Sequence, residues 1–200
     1  MMFGKNTDIV KLTANWIPEN SLGAEIGVWR GRSSQVLLTK AKHLHMIDPW
    51  DISVYENTTD WLNLGYEGIL QRYSEIVGSN NPADFQAFYD KLYNLICKEF
   101  AELPVTIHRM KSSDWFAAYT GEKLDWIYID GDHSYEGVMA DLIASLDVVK
   151  ENGIIFLDDF SKQNHMHPGV RAAVIDFCQE RKLNYARLYD NQCIIEVGAN

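Results

Sequence analysis

Short apolar runs ending in glycine or aspartate alternate with longer stretches in which apolar residues recur every three or four positions. The runs predict strands at about 23–28, 44–48, 105–109, 125–130, 153–158, 185–190 and 192–197. Trp126-Ile127-Tyr128-Ile129 and Ile154-Ile155-Phe156-Leu157 are apolar throughout, the pattern of strands covered on both faces. Helices are predicted over 33–40, 135–150 and 170–181. In the second, Val138, Leu142, Ile143, Leu146 and Val149 fall at helical spacing, and Ser134 is placed to cap it. Pro168 and Gly169 mark the start of the third. This alternation implies an α/β fold with a parallel, doubly wound sheet. The last two runs are joined by Asp190-Asn191, too short for a crossover, and predict an antiparallel hairpin at one edge.

Residues 50–104 break the alternation. They far exceed an ordinary crossover and are rich in aromatics, among them Trp50, Tyr55, Tyr73, Phe85, Phe88 and Tyr89. Gly78-Ser79-Asn80-Asn81-Pro82 divides the stretch into helices on either side. A helical insertion with its own small core is the first expectation. A lid over the site, or a contact between copies of the chain, is compatible with it.

Composition narrows the function. Eighteen basic against 28 acidic residues give a formal charge of −10. That field repels a phosphate backbone, so nucleic acid is not an expected partner, and a cation suits it better. No apolar run approaches the ~20 residues of a membrane-spanning helix, so no membrane partner is expected. Three cysteines (Cys97, Cys178 and Cys193) cannot all pair and lack metal-ligand spacing. They read as small core residues in a reduced, cytoplasmic setting. One domain over residues 1–200 is expected.

Candidate chemistry begins at Glu25-Ile26-Gly27-Val28-Trp29-Arg30-Gly31-Arg32-Ser33, a strand running through a glycine-containing loop into a helix. Such a loop lets backbone approach a ligand, and the helix start favours an anionic group. The two glycines lie four apart, which is not dinucleotide-fingerprint spacing and makes a dehydrogenase the weaker reading. Asp48 ends the second strand about twenty residues on, where an acid commonly takes ribose hydroxyls.

With these residues the chain resembles class I S-adenosylmethionine-dependent methyltransferases. Glu25, Gly27, Gly31 and Ser33 match the family's first motif, and Asp48 in Ile47-Asp48-Pro49-Trp50 matches its second. The resemblance implies a Rossmann-like seven-stranded sheet of order 3-2-1-4-5-7-6 with strand seven antiparallel. It also implies that the loop, with Trp29 and Ser33, holds the methionine part of the cofactor. Asp48 would take the ribose, and Pro49, Trp50, Ser112, Ser113 and Asp114 would flank the adenine; for Trp50 and Trp115 a place in that pocket and a place in the core are both open.

The fourth strand ends in Asp130-Gly131-Asp132-His133-Ser134-Tyr135-Glu136 and the fifth in Asp158-Asp159. Neighbouring parallel strands bring such ends together, and gathered carboxylates call for protonation or a cation. An oxygen set from Asp130, Asp158 and Asp159 suits Mg²⁺. This segment is similar to the metal-dependent O-methyltransferases of the catechol and macrocin types. That likeness implies a divalent metal, with Asp130 also beside the cofactor. It places His133 where catechol-type enzymes carry a catalytic lysine, so His133 is the candidate base. His165 and His167 follow closely and are further candidates, whereas His43 and His45 read as structural. The expected activity is O-methylation of a small hydroxylated acceptor such as a sugar or a glycosylated natural product. Asp130 is a catalytic candidate beside His133; the alternatives are a metal-independent methyltransferase, with Asp130 and His133 acting directly, and a non-catalytic module binding a nucleotide-like ligand.

Overall fold

A computed structural model of the protein describes residues 7–56, 65–160, 167–189 and 191–198. Its sheet comprises β1 (Ser21–Ile26), β2 (Ala41–Asp48), β3 (Val105–Arg109), β4 (Leu124–Ile129), β5 (Val149–Leu157), β6 (Tyr185–Leu188) and β7 (Gln192–Glu196). The spatial order is β3-β2-β1-β4-β5-β7-β6. Strands β1 to β5 pair in parallel, and β7 is antiparallel to both β5 and β6. This is the order and polarity the resemblance implied.

Two cores sandwich the sheet, and alternation along β4 shows why its run is apolar throughout. Ile127 and Ile129 join the core beneath α6 (Tyr135–Val148) and α7 (Pro168–Arg181), together with Val138, Leu142, Val174 and Phe177. Trp126 and Tyr128 face the other way. They pack with Val10 and Ala14 of α1 (Thr7–Ala14), Leu37 of α2 (Arg32–Leu37) and Ile96 of α4 (Pro82–Glu99). Period-two burial on both faces leaves no polar position along Trp126–Ile129. Burying one such side chain contributes roughly 1.5–3 kcal/mol.

The boundaries differ from the sequence reading for local reasons. β1 ends at Ile26 because Gly27 turns to φ +87°. α6 stops at Val148, and β5 starts at once with Val149 paired to Leu124. Helical spacing therefore overran into the strand. α1 and the seven-residue α5 (Ser112–Ala118) were not anticipated. Each is too short for its periodicity to stand out, and Trp115 is the buried residue of α5. Ser134 caps α6 as expected, its Oγ accepting from Gly137 N at 2.9 Å.

The insertion contains a 3₁₀ turn (Ile52–Tyr55), α3 (Tyr66–Val77) and α4. Gly78 ends α3 in the left-handed region; Asn81 caps α4 and Pro82 starts it. Ile52, Leu70 and Phe85 form a separate small core. Leu92, Ile96 and Phe100, towards the far end of α4, join the main core. Among the described residues no helix is long and apolar enough to cross a membrane.

Candidate active site

A cavity of about 400 Å³ opens at the carboxyl ends of β1, β2, β4 and β5, within the usual range of small-molecule sites. Its near wall is the loop after β1. Gly27 lies in the left-handed region, and a Cβ there would stand 2.0 Å from the Asp130 carbonyl oxygen. Only glycine lets the first loop sit directly on the fourth-strand loop.

Asp48 holds this loop. Its Oδ2 accepts the backbone N–H groups of Val28 at 3.0 Å and Trp29 at 2.9 Å, and its Oδ1 accepts Trp50 N at 2.7 Å. Trp29 and Trp50 have φ of +46° and +41°, a conformation that costs a bulky residue of order 1–3 kcal/mol unless its surroundings impose it. Desolvation pushes the Asp48 carboxyl above its usual range, against these hydrogen bonds and the nearby Arg109 cation. The carboxylate also lines the cavity.

Trp29, Ser33, Pro49, Ser112 and Asp130 join Gly27 and Asp48 in the lining. Glu25, Gly31, Trp50 and Ser113 do not. Glu25 is fully buried beneath the loop, accepting a short hydrogen bond from Ser34 Oγ. Gly31 backs onto Ile96 and Phe100. The Trp50 indole is buried against Tyr93 and donates to the Trp29 carbonyl at 3.0 Å. Ser113 is exposed on α5. Trp115 is also in the core, stacked on Tyr119 at 4.8 Å. The two tryptophans proposed for the adenine wall are therefore packing residues. The sequence reading assigned no ligand role to Arg30 or Arg32, and both line the cavity. The only signal was two cations flanking Gly31 in an acidic chain.

The insertion forms the opposite wall through Val54, Tyr55, Tyr73, Phe85, Phe88 and Tyr89. Burial pushes the Tyr55 phenol up to about 12, and Tyr73 and Tyr89 shift the same way. These phenols therefore stay protonated in the ordinary range.

The floor departs from the all-oxygen triad. Asp158 is turned beneath the sheet edge, 5% exposed and outside the cavity lining. Its Oδ1 accepts from Asp159 N at 2.8 Å, from Asn191 Nδ2 at 3.0 Å and from Gln192 Nε2; its Oδ2 accepts from Tyr128 Oη at 3.1 Å. Four donors satisfy this carboxylate from behind, so it positions Asp159 rather than reaching the site.

His133, Asp159 and His167 converge instead. His133 Nε2 lies 3.0 Å from Asp159 Oδ2 and 3.5 Å from Asp130 Oδ1, while His167 Nε2 lies 3.6 Å from Asp159 Oδ2. The two imidazole centroids are 4.2 Å apart. Burial and the neighbouring His133 lower the His167 pKa to about 4, so its imidazole is neutral at pH 7. α7 is brought this close because Gly169 has no side chain; a Cβ there would stand 2.5 Å from Tyr135 N. His165 lies outside the described residues. A magnesium ion, which favours near-octahedral oxygen donors, does not fit this donor set.

Asp132 caps the next turn, its Oδ1 accepting Ser134 N at 2.8 Å. His43 and His45 lie away from the cavity. His43 Nε2 meets Thr106 Oγ1 at 2.9 Å, and His45 Nδ1 meets His108 Nε2 at 3.1 Å.

The sheet order and a ligand-sized cavity at its carboxyl edge define a class I methyltransferase fold. Residues 24–160 match the model of a family described as methyltransferase domain, and the chain belongs to that family. It is an S-adenosylmethionine-dependent methyltransferase. No curated protein matches it. Among solved structures it is similar to an O-methyltransferase from Bacillus cereus in complex with SAH, at 15% identity and a TM-score of 0.59, covering 98% of this chain and 82% of that one. It is also similar to a precorrin-6y C5,15-methyltransferase from Geobacter metallireducens, at 12% identity and a TM-score of 0.59, covering 98% and 88%. An N-methyltransferase, NodS, from Bradyrhizobium japonicum gives 13% identity and a TM-score of 0.54, covering 95% and 90%. These three carry the same fold under different names, so the acceptor must be argued from the site.

Proposed function

We propose that this enzyme methylates a hydroxyl group of a small molecule, of the size and polarity of a sugar or a glycosylated natural product. The observation that carries the reading is His133 set between Asp130 and Asp159 at the cavity floor. A hydroxyl is a poor nucleophile until it loses its proton, and an imidazole beside two carboxylates is suited to accept one.

Gly27, Trp29 and Ser33 would hold the methionine end of S-adenosylmethionine, Asp48 and Pro49 its ribose, and Ser112 its adenine side. When bound, the cofactor supplies an electrophilic methyl group on a sulfonium. The chain's part is to align the acceptor oxygen, exclude water and take up the proton. The methyl would pass from sulfur to the acceptor oxygen with the thioether as leaving group, and the His133–Asp130 pair would take up the hydroxyl proton. The aromatic wall of the insertion offers ring faces for stacking and shields the site from water.

The test pairs calorimetry using S-adenosylhomocysteine with methyl-transfer assays on sugars, glycosides and phenols in the presence of divalent ions. The wild type binds the nucleoside product and methylates a hydroxyl. His133→Ala retains that binding and loses turnover by roughly 10²–10⁴-fold. Unchanged turnover in His133→Ala, or transfer to amines alone, refutes the proposal. Binding with no transfer to any acceptor favours a non-catalytic module.

A further inference from the structure

We propose that His133, Asp159 and His167 form a binding site for a divalent transition metal of the iron, cobalt or zinc kind. The ligand atoms of these residues all lie within 4.8 Å of one another. With metal–ligand bonds of ~2.1 Å, the separations of 3.0 and 3.6 Å from Asp159 Oδ2 subtend roughly 90° and 120° at one ion. Asp159 Oδ2 can therefore share one ion with either imidazole.

A second observation is independent of the distances. His133 Nε2 is buried and makes no aligned hydrogen bond, although Asp159 Oδ2 is only 3.0 Å away. A ring N–H would have to lie along that line to donate. Two atoms that converge off-line are instead placed to share a third. The other oxygen of the Asp159 carboxylate, Oδ1, accepts from Asn191 Nδ2 at 3.4 Å, the kind of outer support that orients a ligating carboxylate.

Donor chemistry selects the metal. Two imidazole nitrogens and one carboxylate suit borderline ions, whereas magnesium and calcium favour oxygen. His133 and Asp159 also line the cavity. Coordination positions opposite the protein ligands would thus face the space where an acceptor sits, as in catalytic rather than structural sites.

This inference rests on the hydroxyl-methylation reading only for its consequence. A bound ion would act as a Lewis acid on an acceptor oxygen; with the ion present, Asp130 rather than His133 would be the member of the His133–Asp130 pair that takes the proton.

The test uses the full chain, stripped with a chelator and titrated with cobalt(II) alone by visible absorption and calorimetry. We expect one cobalt per chain with the intense bands of low-coordinate cobalt, undisplaced by a roughly hundredfold excess of magnesium. His133→Ala and His167→Ala should each weaken cobalt binding by more than ~100-fold, beyond the effect of losing an outer partner. Their melting curves and S-adenosylhomocysteine binding report that they remain folded. A folded wild type that binds no cobalt, His variants that bind it unchanged, or magnesium displacing it at equal concentration overturns the site. Methyl transfer by the stripped protein removes the ion from the reaction and leaves the proposed function standing. Cobalt binding without transfer to any hydroxyl does the reverse.

Discussion

Asp141 carries a stability cost that grows with pH. It sits on α6, 4% exposed, close behind Gly131 of the floor loop. Burial drives its carboxyl from 3.8 up to about 7, with the charge of Asp132 adding to the rise and a hydrogen bond from Ser112 opposing it. Below pH ~4 the folded and unfolded chains both hold the proton, and the group contributes no slope. Between ~4 and ~7 the unfolded chain has released a proton that the folded chain keeps, so stability falls as pH rises. At ~1.4 kcal/mol per pH interval of separation, the accumulated loss is at most ~4 kcal/mol and is complete above pH 7. Asp141→Asn keeps the shape and the contact with Ser112 but cannot ionise. His45 and His167, both lowered to about 4, give the opposite slope, with stability lost as pH falls from 6.5 towards 4. Wild-type data alone would therefore mix opposing effects. The measurement is the difference in unfolding free energy, wild type minus Asp141→Asn, from denaturant melts at intervals from pH 4 to 8. This difference should fall through the window, leaving the variant ~2–4 kcal/mol the more stable at pH 8. A flat difference curve, or a variant less stable at pH 8, refutes the reasoning.

Two further outcomes test the walls of the cavity. Gly27→Ala should weaken S-adenosylhomocysteine binding by at least tenfold and cost more than the ~1–2 kcal/mol of left-handed backbone, because its Cβ meets the Asp130 carbonyl at 2.0 Å; calorimetry and thermal melting read both. Phe85→Ala empties the small core shared with Ile52 and Leu70. It should destabilise by ~3–5 kcal/mol if the insertion unfolds with the rest. An early, separate transition in hydrogen exchange would show that the insertion opens alone.

The fold was legible because its strongest signals are local and repeated. Both faces of β4 and β5 are covered, so their runs are apolar without alternation, and the link between β6 and β7, residues 189–191, is too short for anything but a hairpin. What failed was short or half-solvated. α5 buries a single tryptophan, and α1 was passed over though Val10 and Ala14 are buried. Neither is long enough to yield a stripe. The insertion divided where Gly78 to Pro82 indicated. Which of its aromatics face the cavity depends on how α3 and α4 rotate about a three-residue core, and no spacing encodes that rotation.

At the floor, sequence adjacency misled where topology did not. Asp158 and Asp159 are neighbours on the chain, and the motif alone places both carboxylates in the cavity. Successive residues at a strand end point to opposite sides, and Asp159 at φ +57° turns the chain further. Only one of the pair can face the site. The other met Tyr128, Asn191 and Gln192, partners from β4 and the β6–β7 hairpin that a motif does not display. The remaining place beside Asp159 is taken by His167, the residue that precedes α7. His167 reaches Asp159 because Gly169 lets the helix start close against the loop after β4. The sequence showed a histidine and a glycine two apart; the reason for that pairing is a tertiary contact. At the proposed metal site, one of the three ligands consequently comes from outside the matched family segment.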